Sequence, residues 1–326
     1  MQAARVSPAD DAGKPYSAAN PAASSAIAVD RIDIPQPEPG QALVRVHAST
    51  VTRDELTWPE TYREVRQTMG YDVAGVLESV HGESTLKPGD EVYCMVSSHR
   101  GGAWAEHVVA DIGDLALKPK NLSWPEAATV PMSALTAWQA LFVKAGVPEP
   151  DLDAREASSK RALVTGASGA VGAYIVQFAA MAGLHVVAAS GSTERNGEFL
   201  RLLGATEAIG YGDVESQDRF DYIIDTVGGE PQTKAWSLVA EDGVLVSVDS
   251  SSFAFAQSPP AGKEHVKALF FIVEPSGEQL AKVARAIELG LVRAFVAHTF
   301  PLAEVKEAYE KASGRLDRRG KVVLTM

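Results

Sequence analysis

The chain has 326 residues, 46% hydrophobic and 22% charged, the composition of a globular protein with a sizeable core and longer than one typical domain. Thirty Lys and Arg stand against 42 Asp and Glu, a formal net charge of −12, and a surface that negative repels nucleic-acid backbones and anionic lipid, so no nucleic-acid or membrane partner is expected. No apolar run is long enough to span a bilayer, and the single cysteine, Cys94, rules out an internal disulfide and a thiolate-rich zinc site.

The N-terminus is rich in Ala, Ser and Pro but carries Asp10 and Asp11, without an Arg-rich amphipathic stretch or an apolar signal core. No secretory or organellar signal is therefore expected, and the C-terminal Lys321–Met326 carries no address tag; cytoplasmic is the expected location. Ala42–Ala48 alternates with the period of a half-buried strand. Asp72–Val80 and Asp90–Val96 are further short β-rich runs, divided by the turn Lys87-Pro-Gly-Asp90, and Gly101-Gly102 precedes another run from Trp104 to Val109. Such strands and turns predict a β-barrel-like first domain.

Near Ser123 the pattern changes. Ser123 can cap a helix with Pro125 in its first turn, and a longer helix is expected from Met132 to Ala145. From Arg161 strands and helices alternate: strand Ala162–Thr165, helix Val171–Ala182, strand His185–Ala189, helix Glu198–Leu203, then strands Asp221–Asp225 and Gly243–Val248. That alternation predicts a parallel, doubly wound sheet, and the overall class is α/β. Asp249–Pro260 reads as a loop; helical spacing returns over Gly277–Gly290 and Leu302–Ala312, before a final strand, Gly320–Thr325.

The central chemical signal is Gly166-Ala-Ser-Gly-Ala-Val-Gly172, between a predicted strand and a predicted helix. The G-x-G-x-x-G pattern falls on Ala167, Gly169 and Gly172. Gly169 lets a pyrophosphate approach the backbone and Gly172 lets the helix pack on the strand, while Ser168, Ala170 and Val171 complete the turn whose N–H groups face the phosphates. NAD sites place an acidic residue at the end of the second strand. Here the run is Ala189-Ser-Gly-Ser-Thr-Glu-Arg195: Ser190 and Ser192 can donate to a 2′-phosphate and Arg195 adds charge, which favours NADPH. Glu194 argues the other way, and a polar loop capping a helix is the plainer reading.

Several segments together resemble the medium-chain dehydrogenase/reductase superfamily, in its zinc-independent quinone oxidoreductase and enoyl reductase branch. They are Gly70-Tyr-Asp-Val-Ala-Gly75, Leu86–Val92, Gly101–Glu106, Leu135-Thr-Ala-Trp138, Gly166–Gly172, Leu203-Gly-Ala205, Asp225-Thr-Val-Gly-Gly229 and Gly320–Leu324. The resemblance runs nearly end to end, and its N-terminal half is similar to fungal members named only as zinc-binding oxidoreductases. It implies a bilobed enzyme with its active site in a cleft: a GroES-like β-barrel domain over residues 1–130 and 276–326, and a Rossmann NADPH-binding domain over 131–275. By the family pattern Thr136 approaches the nicotinamide ribose, Tyr211 lies at the 2′-phosphate end, and Val227 with Phe271 and Val273 lines the nicotinamide pocket. Core packing is an equal reading for Phe271 and Val273. The resemblance also leaves a homodimer possible.

Zinc-dependent relatives carry an early Cys and a Gly-His-Glu motif. Here those positions read Thr52 and Gly70-Tyr71-Asp72, and neither Thr nor Tyr is a normal zinc ligand, so no catalytic metal is expected. His47, His81, His99 and His107 show no i, i+4 pairing and read as surface or turn residues. Without a Lewis acid the expected acceptor is a small conjugated carbonyl, enone or enoyl, or a quinone, because conjugation spreads the developing charge. Tyr71 is the candidate proton donor, with packing in the barrel as the other reading. Thr52 and Glu55 occupy the family's Asn-x-x-Asp positions, and Glu55 reads equally as a structural carboxylate bonded to backbone. Trp58, Tyr62 and Trp104 either wall a substrate cleft or cover the core. Two further readings stay open: a specialised enoyl reductase of natural-product biosynthesis, and a dinucleotide-binding sensor or structural protein without turnover.

Overall fold

Alternation in the N-terminal third becomes antiparallel sheet in the structure, a computed structural model that describes every residue except Asp11, Arg155 and Glu156. Asp11, one of the two acids noted at the N-terminus, thus lies outside the described residues. The chain divides into two units, the first made of Met1–Met132 with Pro275–Met326, the second of Ser133–Glu274.

In the first unit β1 (Gln2–Val6) and β2 (Ile27–Arg31) pair as an antiparallel ribbon, which the Ala- and Pro-rich sequence there does not announce. β3 (Gln41–Val51) pairs antiparallel with β4 (Asp72–His81) and with β6 (His107–Asp111). β5 (Glu91–Met95) joins β4 to the short β7 (Ala116–Leu117). β3 is expected to be half-buried, yet nearly every residue of it is buried, because it stands in the middle of the sheet and α1 (Trp124–Ala128) packs on it. α1 starts as expected: Ser123 and Glu126 form a capping box and Pro125 sits in the first turn.

α2 (Pro131–Trp138) passes into one wide π-helical stretch, Gln139–Lys144, where the sequence predicts continuous α-helix. The second unit then builds one six-stranded sheet from β8 (Arg161–Val164), β9 (His185–Ser190), β10 (Glu207–Gly210), β11 (Phe220–Asp225), β12 (Val239–Ser247) and β13 (Lys267–Phe270). Every pairing is parallel, in the order β10-β9-β8-β11-β12-β13. Numbered from β8 this is 3-2-1-4-5-6, the doubly wound order, whose switch point lies between β8 and β11. α3 (Ala170–Met181), α4 (Thr193–Leu202) and α5 (Gly229–Leu238) are its helices. α4 begins five residues before the predicted Glu198, because Ser192 caps it by accepting from Arg195 N–H.

The chain returns to the first unit with α6 (Gly277–Glu288), β14 (Val296–Pro301), α7 (Val305–Ser313) and β15 (Lys321–Thr325). β15 pairs antiparallel with β3 and parallel with β14, completing a seven-stranded sheet. The core around them gathers Ile27, Leu56, Trp104, Val305, Tyr309 and Leu324. Apolar area removed from water there stabilises the unit at roughly 25 cal/mol per Å². Among the described residues no helix is long and apolar enough to cross a membrane.

Candidate dinucleotide site and candidate acid–base cluster

At the switch point of the parallel sheet, β8 ends and the chain turns through Thr165–Gly169 into α3. Gly166 takes φ +62, and a Cβ there would lie 2.2 Å from Thr226 Oγ1. Gly172 packs so closely that a Cβ would lie 2.2 Å from the Gly166 carbonyl oxygen and 2.7 Å from Ala167 Cα. The turn therefore folds back onto the first turn of its own helix only with glycine at both places. Ala167, in the first glycine position of the motif, is buried and donates its N–H to Ala189 O at 3.1 Å, tying the turn to β9. Gly169 is exposed, and Ser168, Ala170 and Val171 are half-buried beside it. The first-turn N–H groups of α3 have no acceptor within the helix, and the helix dipole puts partial positive charge there.

Tyr211 braces this turn: its hydroxyl accepts from Gly166 N–H at 3.0 Å, and burial pushes its phenol pKa up. Asp225, at the end of β11, is a hub that the sequence reading passes over. Its buried carboxylate accepts from Thr165 Oγ1 at 2.5 Å, Gly228 N–H at 3.1 Å, Gln232 Nε2 at 3.2 Å and Ser247 Oγ at 2.8 Å. Its Oδ1 also takes Val227 N–H at 3.2 Å, so one acid sets the bend that leaves Val227 39% exposed. The sequence does carry a signal for it: an Asp at the carboxyl end of the fourth strand, beside the switch point, with Gly-Gly following.

Thr136 is buried on α2. On the π-helical stretch Gln139 grips the backbone of Glu274, donating to its carbonyl at 2.7 Å and accepting its N–H at 3.0 Å. This fixes the segment after β13. In that segment Phe271 is turned inward with Lys144 Nζ 5.4 Å from its ring centroid, Val273 is half-buried, and Ile272, absent from the sequence-based set, is 66% exposed. At the end of β9, Ser190 sits behind the bend instead of on its face: its hydroxyl donates to Ser192 O and accepts from Asn196 Nδ2. Ser192 is half-buried, and Glu194 and Arg195 are exposed on α4.

The first unit carries a separate cluster around Tyr71. Glu55 is buried on a 3-10 turn, Glu55–Thr57; its Oε1 accepts Gly70 N–H at 2.7 Å, while Oε2 has no partner among the described residues. Burial, only partly offset by that bond, pushes its carboxyl up to about 8. The structural-carboxylate reading of Glu55 is thus what its Oε1 does. Tyr71 is buried, its ring tilted against Trp58 at 5.7 Å between centroids, and its hydroxyl makes no hydrogen bond among the described residues. Burial first, then the charges of Glu55 and Glu60, raise its pKa well above the usual phenol value. Thr52 Oγ1 lies 3.8 Å from Met132 Sδ, while its carbonyl accepts Glu55 N–H at 3.4 Å. Trp104 is wholly buried and Tyr62 bonds Leu56 O, so these two cover the core.

Asp72, beside Tyr71, is fully committed. Its Oδ2 accepts from Thr50 Oγ1 and Lys321 Nζ, both at 2.5 Å, and its Oδ1 accepts Met132 N–H at 2.7 Å. Of the four N-terminal histidines, His47, His81 and His107 stand on β3, β4 and β6 and His99 lies in a turn; His81 and His99 are exposed, His47 and His107 half-buried, and His47 stacks on Trp124 at 4.5 Å. Among the described residues no three His, Cys, Asp or Glu come together to hold a metal ion. Thr52 and Tyr71, which the family resemblance puts in the zinc-ligand positions, offer no normal zinc-ligating atom, and Glu55 and Asp72 are each bonded to backbone.

A 3-2-1-4-5-6 parallel sheet with a glycine turn at its switch point, in one chain with an antiparallel barrel-type unit, defines an α/β protein of the GroES-like plus Rossmann-like class. A family model described as alcohol dehydrogenase GroES-like domain matches residues 38–120, and one described as zinc-binding dehydrogenase matches residues 203–324. The chain is 42% identical over 306 residues to a probable zinc-binding oxidoreductase, mitochondrial, of Arthroderma benhamiae, covering 89% of this chain and 91% of that one. It is 31% identical to the mouse (Mus musculus) NAD(P)H oxidoreductase RTN4IP1, mitochondrial, over 88% of this chain and 82% of the relative. The solved quinone oxidoreductase of Coxiella burnetii shares the fold, with a TM-score of 0.84 at 22% identity, over 100% of this chain and 99% of that one. The chain belongs to the medium-chain dehydrogenase/reductase superfamily of oxidoreductases, in its quinone-oxidoreductase-like branch.

Proposed function

We propose that this protein is an NADPH-dependent reductase that delivers a hydride to a small conjugated carbonyl or quinone without a metal. The observation that carries the reading is the turn at 166–172, where a Cβ at Gly172 would strike the Gly166 carbonyl and the half-buried first turn of α3, behind the exposed Gly169, offers N–H groups to a diphosphate. A relative named NAD(P)H oxidoreductase and a fold relative named quinone oxidoreductase support the cofactor class and the acceptor class.

In this reading Ser168, Gly169, Ala170 and Val171 hold the diphosphate, and Tyr211 keeps the turn in shape from behind. Val227 and the segment Phe271–Val273 border the nicotinamide, and Thr136 lies toward its ribose. Ser192 and Arg195 face the 2′-phosphate. When bound, the reduced nicotinamide supplies the hydride. Tyr71 is the proton donor: its phenol stays protonated across the neutral range and its proton is spent on no protein acceptor among the described residues. A conjugated acceptor needs only that much, because the negative charge left by hydride addition is delocalised onto oxygen and one hydrogen bond with a proton completes the reduction.

The reading also includes a cytoplasmic location, against relatives named as mitochondrial, and a homodimer through the sheet edge at β13. Imaging of a C-terminal fusion and light scattering check these two parts. The central experiment incubates the protein with NADPH or NADH and a panel of quinones and enones while following the nicotinamide absorbance. Oxidation of NADPH with a quinone or enone is expected. Binding with no oxidation across the panel assigns the protein a sensing role instead, and absence of binding removes the reading altogether.

A further inference from the structure

The second strand of a dinucleotide-binding sheet ends where such proteins choose between a ribose hydroxyl and a phosphate. Here that strand, β9, ends at Ser190, which is 2% exposed. Its hydroxyl donates to the Ser192 carbonyl at 3.3 Å and accepts from Asn196 Nδ2 at 3.1 Å. Asn196 also donates its backbone N–H to that same carbonyl at 3.0 Å. One residue of α4 therefore holds both ends of the bend Ser190–Ser192. Asn196 is 6% exposed, and its Oδ1 has no partner among the described residues. A buried amide oxygen without a donor is destabilising, so the side chain adds nothing to the fold through that atom. What the amide accomplishes is the bond to Ser190.

We propose that Asn196 is a positioning residue for the 2′ end of the cofactor, holding the bend so that Gly191, Ser192 and the first turn of α4 present donors to a 2′-phosphate. The inference rests on the NADPH reading above and deepens it. Gly191 is exposed. Ser192 Oγ accepts from Arg195 N–H, so its own proton is directed elsewhere. The N–H groups of Thr193 and Glu194 open a ten-residue helix and have no acceptor inside it, at the positive end of its dipole. A phosphate accepts from all of these. A ribose hydroxyl needs an acidic acceptor, and the bend holds none, since Glu194 comes only inside α4. Disordering the bend therefore weakens a phosphate ligand far more than a hydroxyl.

The test measures binding of 2′,5′-ADP and of 5′-AMP to the full chain by calorimetry, fragments that differ only in the 2′-phosphate. The wild-type protein is expected to bind 2′,5′-ADP more tightly. Asn196→Leu and Ser190→Ala are each expected to lower affinity for 2′,5′-ADP about tenfold, the worth of a hydrogen bond to a charged group, with 5′-AMP binding within about twofold of wild type. The double variant is expected to match Ser190→Ala, because that substitution already removes the bond that Asn196→Leu removes. A purely structural role shifts both fragments equally. If Asn196→Leu does not fold, Ser190→Ala removes the same bond from the other end and carries the measurement. Unchanged discrimination in the variants, equal losses for both fragments, or additive losses overturn the inference while leaving the NADPH reading intact. Failure of the wild-type protein to discriminate overturns that reading itself, and this inference with it.

Discussion

Glu55 Oε1 accepts the Gly70 N–H at 2.7 Å while its second oxygen, also buried, makes no hydrogen bond among the described residues. Half of this carboxyl is a backbone clamp for the residue preceding Tyr71, and the other half is a place for a proton. Its folded pKa, raised to about 8 from 4.5 chiefly by burial, means the native state holds a proton that the unfolded chain gives up. Between pH 4.5 and 8 the native state binds more protons than the unfolded one, so stability falls as pH rises through that window and levels off above it. Glu55→Gln keeps an acceptor for Gly70 and cannot ionise. Thermal melts from about pH 5 to 9 are expected to show wild-type stability dropping by a few kcal/mol, and the Glu55→Gln protein nearly flat over the same range. Parallel curves for the two proteins contradict the assignment.

Asp72 and Lys321 form a buried ion pair in the first unit, joining β4 to β15, with Thr50 of β3 and the Met132 N–H on the same carboxylate. Both side chains are almost fully buried. Removing one partner leaves an uncompensated buried charge, so Lys321→Met is expected to cost about 3–5 kcal/mol in urea unfolding. Pairing it with Asp72→Asn removes both charges and recovers much of that loss. Equal stability of the single and double variants argues against the ion pair.

The contrast between these two acids shows what is legible in the chain. Strand–turn–helix order, the glycine turn at 166–172 and the parallel sheet follow from periodicity and small residues, because both are local properties of consecutive positions. The α4 start at Thr193 escapes such reading, since Gly191, Thr193 and Asn196 break the apolar spacing and the capping serine is the only mark. β1 and β10 escape it because alanine and glycine give strands no distinctive pattern. The site follows the same division. Gly172 announces itself by type, but the partners of Asp72 and Asp225 come from strands far apart in sequence, and no spacing rule connects Asp72 with Lys321 or Asp225 with Thr165 and Ser247. Ser190 is a candidate by virtue of its hydroxyl, and only the folded chain shows that hydroxyl turned toward Asn196.

Gly172 separates fold from binding in the second unit. A methyl group there meets the Gly166 carbonyl oxygen at 2.2 Å and Ala167 Cα at 2.7 Å, both backbone atoms that move only if the whole turn moves. Gly172→Ala is therefore expected to push the turn off α3, destabilising the protein by about 1–3 kcal/mol. It should also reduce NADPH affinity at least tenfold, because the N–H groups no longer converge. Fluorescence titration with NADPH measures the second effect and urea unfolding the first. A Gly169→Ala control meets only the Gly166 carbonyl oxygen at 3.2 Å, so it should lose less stability than Gly172→Ala. Equal losses in the two variants count against the close-packing account.

Tyr71 offers the most direct check on chemistry. The phenol is held protonated first by burial and then by Glu60, with Glu55 adding to this once it ionises, and its hydroxyl is bonded to nothing among the described residues. Tyr71→Phe keeps the ring against Trp58 and deletes only the hydroxyl, so folding and NADPH binding are expected to stay close to wild type. If the hydroxyl donates in the rate-limiting step, kcat for a quinone or enone falls about a hundredfold while KM changes little, the pattern of an interaction made in the transition state alone. The pH profile adds a second readout. Ionisation of Glu55 near pH 8 places a negative charge beside the phenol and makes it a weaker acid, so wild-type kcat should decline above that pH. Glu55→Gln should remove the decline, and Tyr71→Phe should have none to lose. Undiminished kcat in the Tyr71→Phe protein, or an alkaline decline that survives Glu55→Gln, transfers the proton-donor role to another group.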